Sequence, residues 1–188
     1  MVKELPRIIN TSEYLLQGSV LDSAYPLLIE RLKGLADAEY KNFSEHELVF
    51  ANKRTTSLVY WHVRRSLDVG NSLYHLRYLS DPNKDDNRNC PTLVRKTIDC
   101  LATSNDMMGF LGEIGFRMQY EFVSKGVVFK KGPMKITVAK IHRVTEPGNP
   151  VKLEKVTESH LVEISVLIPS GQDLISSSVK EFADQLKP

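Results

Sequence analysis

Two glutamates, Glu45 and Glu47, flank His46 in the first third of the chain. The surrounding residues predict a strand, and alternate residues of a strand point to the same face, so the two carboxylates should lie about 7 Å apart. Carboxylate oxygens at this spacing can hold a divalent cation. The pair is therefore the first candidate for a metal-dependent site.

A metal-dependent phosphohydrolase needs more than this pair. Several carboxylates must hold the ion and several cations must hold the phosphates, as in the tunnel-type RNA triphosphatases, whose all-β barrel this layout could resemble. The next residue on the face of Glu47 is Val49, and a late strand adds only Glu163 followed by Ser165. The incomplete set favours a solvated strand start. A tunnel-type RNA triphosphatase or polyphosphate hydrolase is the alternative function.

Other reactive residues form no recognisable motif. The five histidines are dispersed, and Cys90 and Cys100 do not form a C-x-x-C pair. Nucleophile motifs, phosphate-binding loops and metal-ligand spacings are absent from the sequence. We therefore predict no catalytic residue, no metal ligand, no cofactor and no enzymatic activity.

A second alternative is a barrel that binds single-stranded nucleic acid, because aromatic side chains near arginines can stack on bases. The residues concerned are Tyr74, Tyr78, Phe116, Tyr120 and Phe122, with Arg77 and Arg117. No ribonucleoprotein signature accompanies them. A stripe of aromatic residues spaced by two is more typical of a core than of a base-stacking surface.

The elements that would position these residues are mostly strands. They are predicted at 14–20, 47–53, 57–66, 73–79, 93–102, 116–123, 127–131, 134–144 and 159–168. Loops rather than regularly spaced helices separate them, which favours antiparallel pairing. The sequence predicts a mainly β protein with a few helices, an antiparallel barrel or sandwich of eight or nine strands.

The clearest alternation places Phe116, Met118, Tyr120 and Phe122 on a buried face of one strand. Arg117, Gln119 and Glu121 occupy the other face, which should be solvated. A turn at Lys125-Gly126 and a break at Gly132-Pro133 would follow. These signals predict a three-stranded meander.

Three amphipathic helices interrupt the strands. The first spans 22–36, with Pro26 in its first turn; the second follows capping residues at 104–106 and ends near Gly115. The third should begin at Ser178, whose partner Glu181 completes a capping box. The loops at 80–91 and 146–158 are too short to separate two cores, so residues 1–188 are expected to form a single domain.

Charge is unevenly distributed along the chain. Residues 125–155 hold eight basic residues and two acidic ones, in a protein whose formal net charge is only +2. Alternation on strands should spread this charge over two faces, with Lys135 opposite Lys140. We expect the basic surface to face acidic protein segments rather than DNA.

Composition is that of an ordinary globular domain, with 41% hydrophobic and 26% charged residues. The opening residues lack the apolar run of a signal peptide, and no window approaches the roughly 20 apolar residues of a membrane-spanning helix. Secretion and membrane insertion are not expected.

A series of sequence blocks resembles the Mediator subunit 18 family. The blocks are EYLLQGSVL (13–21), HELVF (46–50), HLRYL (75–79), GFRM (115–118), EFVSKG (121–126), FKKG (129–132), MKI (134–136), PGN (147–149), GQD (171–173) and FADQLKP (182–188). Their order matches the family, and they extend over nearly the whole chain. None of them is a generic motif.

The resemblance implies a β-barrel of the triphosphatase tunnel type without its active site. It also implies a non-catalytic subunit of the Mediator head module in the nucleus, which bridges gene-specific regulators and RNA polymerase II. The implied partners are Mediator subunit 20 as a heterodimer, the C-terminal helix of subunit 8 and other head-module subunits, with no direct sequence-specific DNA binding. Candidate partner-binding residues are Tyr78, Met118, Tyr120, Phe122, Lys130 and Lys131, as apolar anchors and exposed charges.

Overall fold

The chain forms a mainly β structure with three helices in the part that the structure describes. The computed structural model describes residues 11–37, 39–52, 59–70, 73–82, 90–104, 106–169 and 174–186. The strands are β1 (Thr11–Leu21), β2 (Tyr40–Asn52), β3 (Val59–Ser66), β4 (Tyr74–Leu79), β5 (Leu93–Ala102), β6 (Arg117–Lys131), β7 (Met134–Val144), β8 (Leu153–Lys155) and β9 (Ser159–Pro169). The helices are α1 (Tyr25–Leu35), α2 (Met107–Glu113) and α3 (Leu174–Asp184). Neither in length nor in hydropathy does any helix of these described ranges suffice to cross a membrane.

The strands close into an antiparallel barrel. Their order is β6-β2-β3-β4-β5-β1-β9-β7-β8, and β6 also pairs with β7. This last pairing joins eight strands in a ring and leaves β8 as a short strand attached to β7. Closure pairs strands that would otherwise be free edges. The predicted antiparallel barrel of about eight strands is confirmed.

Alternate residues of each strand face either the barrel interior or its outer wall. Apolar outer-wall residues form two cores beneath the helices. The first lies under α1 and α3 and contains Leu32, Val127, Phe129, Ile136, Val138, Ile164, Val166, Val179 and Phe182. The second lies at α2 and contains Leu48, Phe50, Val63, Leu76, Met107, Leu111 and Phe116. The apolar cores therefore lie outside the barrel, which leaves its interior available for polar side chains.

The first two helices lie where their sequences predict, although α1 begins at Tyr25, three residues after the predicted start at residue 22. Pro26 lies in the first turn of α1, and Leu32 is fully buried in the first core. The Asp106 carboxylate accepts a hydrogen bond from the backbone N–H of Gly109 at 2.8 Å, which caps α2. Gly115, at φ 97°, follows this helix in the left-handed region.

The predicted start of the third helix is wrong. Helix α3 begins at Leu174, so Ser178 lies inside it rather than at its N-cap. The added first turn holds the buried Ser176, whose hydroxyl lies 2.8 Å from Thr92 Oγ1 and 2.9 Å from Cys90 Sγ. These long-range contacts extend the helix beyond its local capping signal.

The predicted turn at Lys125-Gly126 is also wrong, because β6 runs unbroken through it. A Cβ atom on Gly126 would lie 2.0 Å from the carbonyl oxygen of Val138 on the neighbouring strand. The glycine is therefore required for close strand approach rather than for a turn. The hairpin turn comes later, at Gly132 with φ 54°, and the meander is a two-stranded hairpin.

The predicted buried face of β6 is only partly buried. Met118 is 44% exposed and Tyr120 is 55% exposed, whereas Phe116 is buried in the second core. The pairing of β6 with β2 shifts by one residue between Val49 and Phe50, which leaves Gln119 without an opposite residue. Such a bulge interrupts the alternation on which the prediction depended.

Some element boundaries differ from the sequence prediction. Strand β2 begins at Tyr40 rather than at residue 47, because residues 40–44 pair with the second half of β6. Strand β8 lies within the predicted loop 146–158. Most of the predicted loop 80–91, together with Lys53 and Ser57, lies outside the described residues.

Candidate functional site

The barrel encloses a charged interior of about 600 Å³. Strands β2, β3, β5, β6, β7 and β9 each contribute polar side chains to it. The charged lining residues are Glu45, Glu47, Arg64, Asp81, Arg95, Lys135 and Glu163, with His62 beside them. Both members of the predicted Glu45–Glu47 pair therefore face inward, as alternation requires.

Glu13 of β1 forms ion pairs with two arginines. Its carboxylate oxygens lie 3.2 Å from Arg77 Nη1 and 2.7 Å from Arg95 Nε, and its side chain is almost completely buried. Arg77 also lies 2.9 Å from Asp99 Oδ1. Burial acts to raise the pKa of Asp99, but a hydrogen bond from His75 and the charge of Arg77 outweigh it and lower that pKa to about 2. This cluster links β1, β4 and β5.

Glu47 holds a second cluster between β2 and β3. One carboxylate oxygen lies 2.6 Å from His62 Nδ1, and the other accepts a hydrogen bond from Arg64 Nε at 2.7 Å. Burial acts to raise the pKa of Glu47, but the hydrogen bond with His62 and the charge of Arg64 outweigh it, so the pKa lies below its usual value. Glu47 is thus an ionised partner of an arginine, with both oxygens in use.

The remaining interior charges are less tightly paired. Glu163 accepts a hydrogen bond from the side-chain amide of Gln17 at 2.5 Å. Lys135 reaches solvent at one end of the barrel, yet burial among the surrounding walls lowers its pKa. The negative charges of Glu45 and Glu163 act against that shift.

This interior does not have the geometry of a metal-dependent hydrolase. Within the described ranges, no three His, Cys, Asp or Glu side chains come close enough together to hold a metal ion. His46, between the two candidate glutamates, belongs to the outer wall and lies 2.7 Å from Glu121. Glu13 and Glu47 bind arginines instead of leaving their oxygens for an ion.

An apolar groove of about 470 Å³ lies on the outside of the barrel. It runs between α1 and the end of α3, over β1 and β9. Its lining residues are Leu16, Gln17, Gly18, Ser19, Val20, Ala24, Leu27, Leu28, Arg31, Val162, Ile164, Ala183 and Leu186. Leu27 stands at its edge with 62% of its surface exposed. A groove with apolar walls and a few polar groups at its margin is typical of peptide and protein recognition.

The six predicted partner-binding residues lie in separate regions. Tyr78 is on the outer wall of β4, opposite Ile98 of β5 and Trp61 of β3. Tyr120 and Phe122 line the interior near one end, with their rings 6.3 Å apart, and Met118 lies beyond them on the same strand. The other two, Lys130 and Lys131, are exposed at the opposite end, where β6 turns into β7.

Sequence reasoning did not predict the outer groove, and it did not identify Glu13, Arg64 and Arg95 as residues of the interior. The groove combines β1, α1, β9 and α3, and only Leu27, outside the apolar stripe of α1, gave a local signal. Glu13, Arg64 and Arg95 come from strands distant in sequence, so their proximity follows from barrel closure.

Comparison with known proteins supplies the identification. The family model described as "Med18 protein" matches residues 12–64 and 60–188. Mediator of RNA polymerase II transcription subunit 18 from Danio rerio is 47% identical over 182 residues, covering 96% of this chain and 86% of its relative. The chain belongs to the Mediator subunit 18 family. The Drosophila melanogaster member is 40% identical, covering 97% of this chain and 85% of that protein.

Solved structures agree on the fold of this Mediator subunit 18 family member. A chain in the structure of the Schizosaccharomyces pombe Mediator head module matches with a TM-score of 0.69 and 13% identity, covering 92% of each chain. The Mimivirus capping enzyme triphosphatase matches with a TM-score of 0.60 and 8% identity, covering 95% of this chain and 90% of the other. At such low identity these likenesses concern the barrel alone.

The family resemblance drawn from the sequence blocks is confirmed, and so is the fold that it implied. Members of the Mediator subunit 18 family are subunits of a transcription complex. The function is accordingly that of a non-catalytic subunit of Mediator, in the regulation of transcription.

Proposed function

We propose that the chain acts in the nucleus as a scaffold subunit of the Mediator head module, and that the outer groove receives the C-terminal helix of subunit 8. The proposal treats residues 1–188 as one barrel domain. Its main support is the open apolar groove. The walls of this groove come from β1, α1, β9 and the end of α3, while Leu27 at its edge remains exposed to solvent. An amphipathic helix that lays its apolar face in such a groove is a recurring mode of protein recognition.

The groove has suitable dimensions and chemistry for one helix. Its length follows α1, whose eleven residues span about 16 Å at 1.5 Å per residue. Leu16, Leu28 and Val162 form the floor, and Arg31 provides a charged group at the margin. Arg31 is held in place because its guanidinium donates to the carbonyl oxygen of Leu186 at 3.3 Å. A bound helix would bury Leu27 against this floor.

We further propose that subunit 20 docks at the barrel end that carries Met118 and Tyr120. Both side chains are exposed there, and Tyr and Met are enriched at the centres of protein interfaces. Tyr60 is also exposed at this end and lines the same opening. Tyr78, Phe122, Lys130 and Lys131 stay candidates for further contacts with head-module subunits.

The test is co-expression of the chain with subunit 20 and a C-terminal fragment of subunit 8, followed by size-exclusion chromatography. Co-expression should raise the soluble yield, because the partners cover exposed apolar surface. Leu27→Glu should lose the subunit 8 fragment and retain subunit 20. Tyr120→Glu should do the reverse.

The matched control is Val156→Glu, which introduces the same charge at a 56% exposed apolar residue outside the groove. It should retain both partners. The groove assignment would fail if Leu27→Glu still co-eluted with the subunit 8 fragment. Failure of the wild-type chain to co-elute with either partner would overturn the whole proposal.

A further inference from the structure

Three lysines lie together at the barrel end where β6 turns into β7. Lys130 and Lys135 are directly opposite each other on β6 and β7. Lys41 of β2 is opposite Val128, two residues from Lys130. All three lysines are exposed. Lys135 lines the interior, and Lys41 and Lys130 each lie two residues from an interior-lining residue of their own strand, Phe43 and Val128, so all three belong to the interior face. We call Lys41, Lys130 and Lys135 the lysine rim.

Three other basic residues of the 125–155 segment are already neutralised. Lys140 is buried and bonded to both oxygens of Asp22. Arg143 pairs with Glu154, and Lys152 pairs with Glu146 at 2.6 Å. The positive charge that the sequence shows in residues 125–155 is therefore balanced at Lys140, Arg143 and Lys152.

The lysine rim has no such partners among the described residues. No ion pair joins Lys41, Lys130 or Lys135 to a carboxylate in those ranges. Asp37, the acidic side chain nearest the hairpin turn, accepts a hydrogen bond from the Gly132 N–H at 3.0 Å. Like charges on directly opposite strand positions destabilise a sheet. The rim thus carries a repulsion between Lys130 and Lys135 that the charges of Glu45 and Glu163 offset only in part, and an anionic ligand would relieve it further.

Exposed leucines face the rim across the same opening. Leu101 lies near the end of β5 and Leu167 near the end of β9, and both strands end on the side where β7 begins. Leu167 lies four residues after Glu163 on β9, so its side chain points to the same, interior face of the strand. The opening therefore combines a basic half with an apolar half.

We propose that this opening binds an extended acidic protein segment in which carboxylates alternate with apolar side chains. The carboxylates pair with the lysine rim, and the apolar side chains contact Leu101 and Leu167. Because this site lies on a different part of the barrel, the proposal is independent of the groove and of its occupant.

The surroundings favour a protein segment over a nucleic acid. Single-stranded nucleic acids bind where basic grooves run beside exposed aromatic rings. Leucines face this rim, and the exposed ring of Tyr40 beside Lys41 belongs to the outer wall, where it stacks on Phe129. The deeper cations could not supply further phosphate contacts, since Arg64 and Arg95 are paired with Glu47 and Glu13. Three cations beside apolar side chains suit a mixed acidic and apolar chain.

The experiment measures fluorescence anisotropy of the full chain with a labelled synthetic peptide in which glutamate alternates with leucine. A peptide with glutamine in place of glutamate is the neutral control. We expect binding to the acidic peptide alone, weakening between about 50 and about 200 mM sodium chloride as exposed charges are screened. Equal binding of both peptides would overturn the proposal.

Single charge reversals separate binding from folding. Lys135→Glu should weaken peptide binding about tenfold, because it removes an attraction and adds a repulsion. The thermal midpoint of this variant serves as the folding control, because the new carboxylate lies opposite Lys130 but also acts on Glu45 and Glu163. Lys125→Glu, on the outer wall of β6, is the matched control and should leave peptide binding unchanged.

Two results would contradict the assignment. One is a Lys135→Glu variant that is stably folded and binds the acidic peptide as well as the wild type does. The other is a single-stranded oligonucleotide of equal length that competes more effectively than the peptide and loses binding in the same variant. That second outcome would identify a nucleic-acid site instead.

Discussion

The barrel interior and the outer groove are cavities of similar size with opposite chemistry. The interior, of about 600 Å³, is lined by charges, whereas the groove, of about 470 Å³, has mostly apolar walls. The interior glutamates Glu13 and Glu47 already have arginine partners within the chain. Leu27 in the groove has no comparable cover. The Glu13 and Glu47 clusters of the interior are thus paired within the isolated chain, while the groove needs a partner to remove its apolar surface from water.

This difference explains how a tunnel-shaped barrel can serve as a scaffold. A catalytic interior must keep carboxylates and cations available for ions and phosphates. Here Arg64 and Arg95 are engaged by Glu47 and Glu13, which turns potential substrate contacts into links between strands. Recognition is left to outer surfaces, where apolar anchors determine affinity.

The largest expected effect on stability comes from breaking an interior cluster. Glu13→Gln leaves Arg77 and Arg95 without their shared carboxylate in a buried setting, so the free energy of unfolding should fall by about 3 kcal/mol. Urea denaturation measures the change. The matched control is Glu163→Gln, whose carboxylate has an amide rather than an arginine as its partner and should cost under about 1 kcal/mol. Equal losses in the two variants would mean that the Glu13 cluster has no special structural role.

A change in the groove should affect binding strongly and stability only slightly. Leu27→Glu changes an exposed side chain, so the free energy of unfolding of the isolated chain should change by under about 0.5 kcal/mol. Binding of the subunit 8 fragment, measured by isothermal titration calorimetry, should weaken by about 2 kcal/mol, the scale of an interface hot spot. A large loss of stability with unchanged binding would assign Leu27 to the fold rather than to an interface.

Acid should weaken the interior in a defined pH window. The folded-state pKa of Asp99 is about 2, below the ordinary value of 3.8 for an aspartate, so its ionised form stabilises the fold above pH 3.8. That contribution is lost as pH falls from about 4 to about 2. Allowing for solvent screening, we expect about 1 kcal/mol. The difference in unfolding free energy between wild type and Asp99→Asn should be constant near neutral pH and shrink in this window; a difference that did not depend on pH would contradict the assignment.

The smallest effect is expected at an exposed pair. Arg143 and Glu154 join β7 to β8 with both side chains largely in solvent. Arg143→Gln should lower the free energy of unfolding by under about 0.5 kcal/mol, because exposed ion pairs contribute little. A loss as large as that of Glu13→Gln, measured in the same urea titrations, would remove the distinction between interior and surface charges.

The sequence predicted what local patterns determine. Strand alternation placed Glu45 and Glu47 on the interior face, and helical spacing placed Leu28 and Leu32 of α1 against a core. Capping chemistry identified the start of α2 at Asp106. Each of these signals depends on residues close together in the chain.

The errors arose where distant strands override local signals. Gly126 resembles a turn residue in sequence, but the approach of Val138 on β7 is what requires a glycine there. Residues 40–44 lack clear alternation and still form a strand, because β6 supplies hydrogen-bond partners. Glu13 and Arg95 meet only when β1 and β5 become neighbours in the closed barrel. Such contacts follow from topology, which a single sequence does not encode locally.

Hydrogen exchange measured by mass spectrometry tests the central claim most directly. That claim is that the Glu13 and Glu47 clusters are paired within the chain, whereas the groove needs a partner. The chain would be compared alone and in complex with the C-terminal fragment of subunit 8. New protection is predicted in α1 (Tyr25–Leu35) and at residues 17–20, while β3 (Val59–Ser66) and β4 (Tyr74–Leu79) should exchange at the same rate in both states. New protection confined to β3 and β4, with α1 unchanged, would contradict the account.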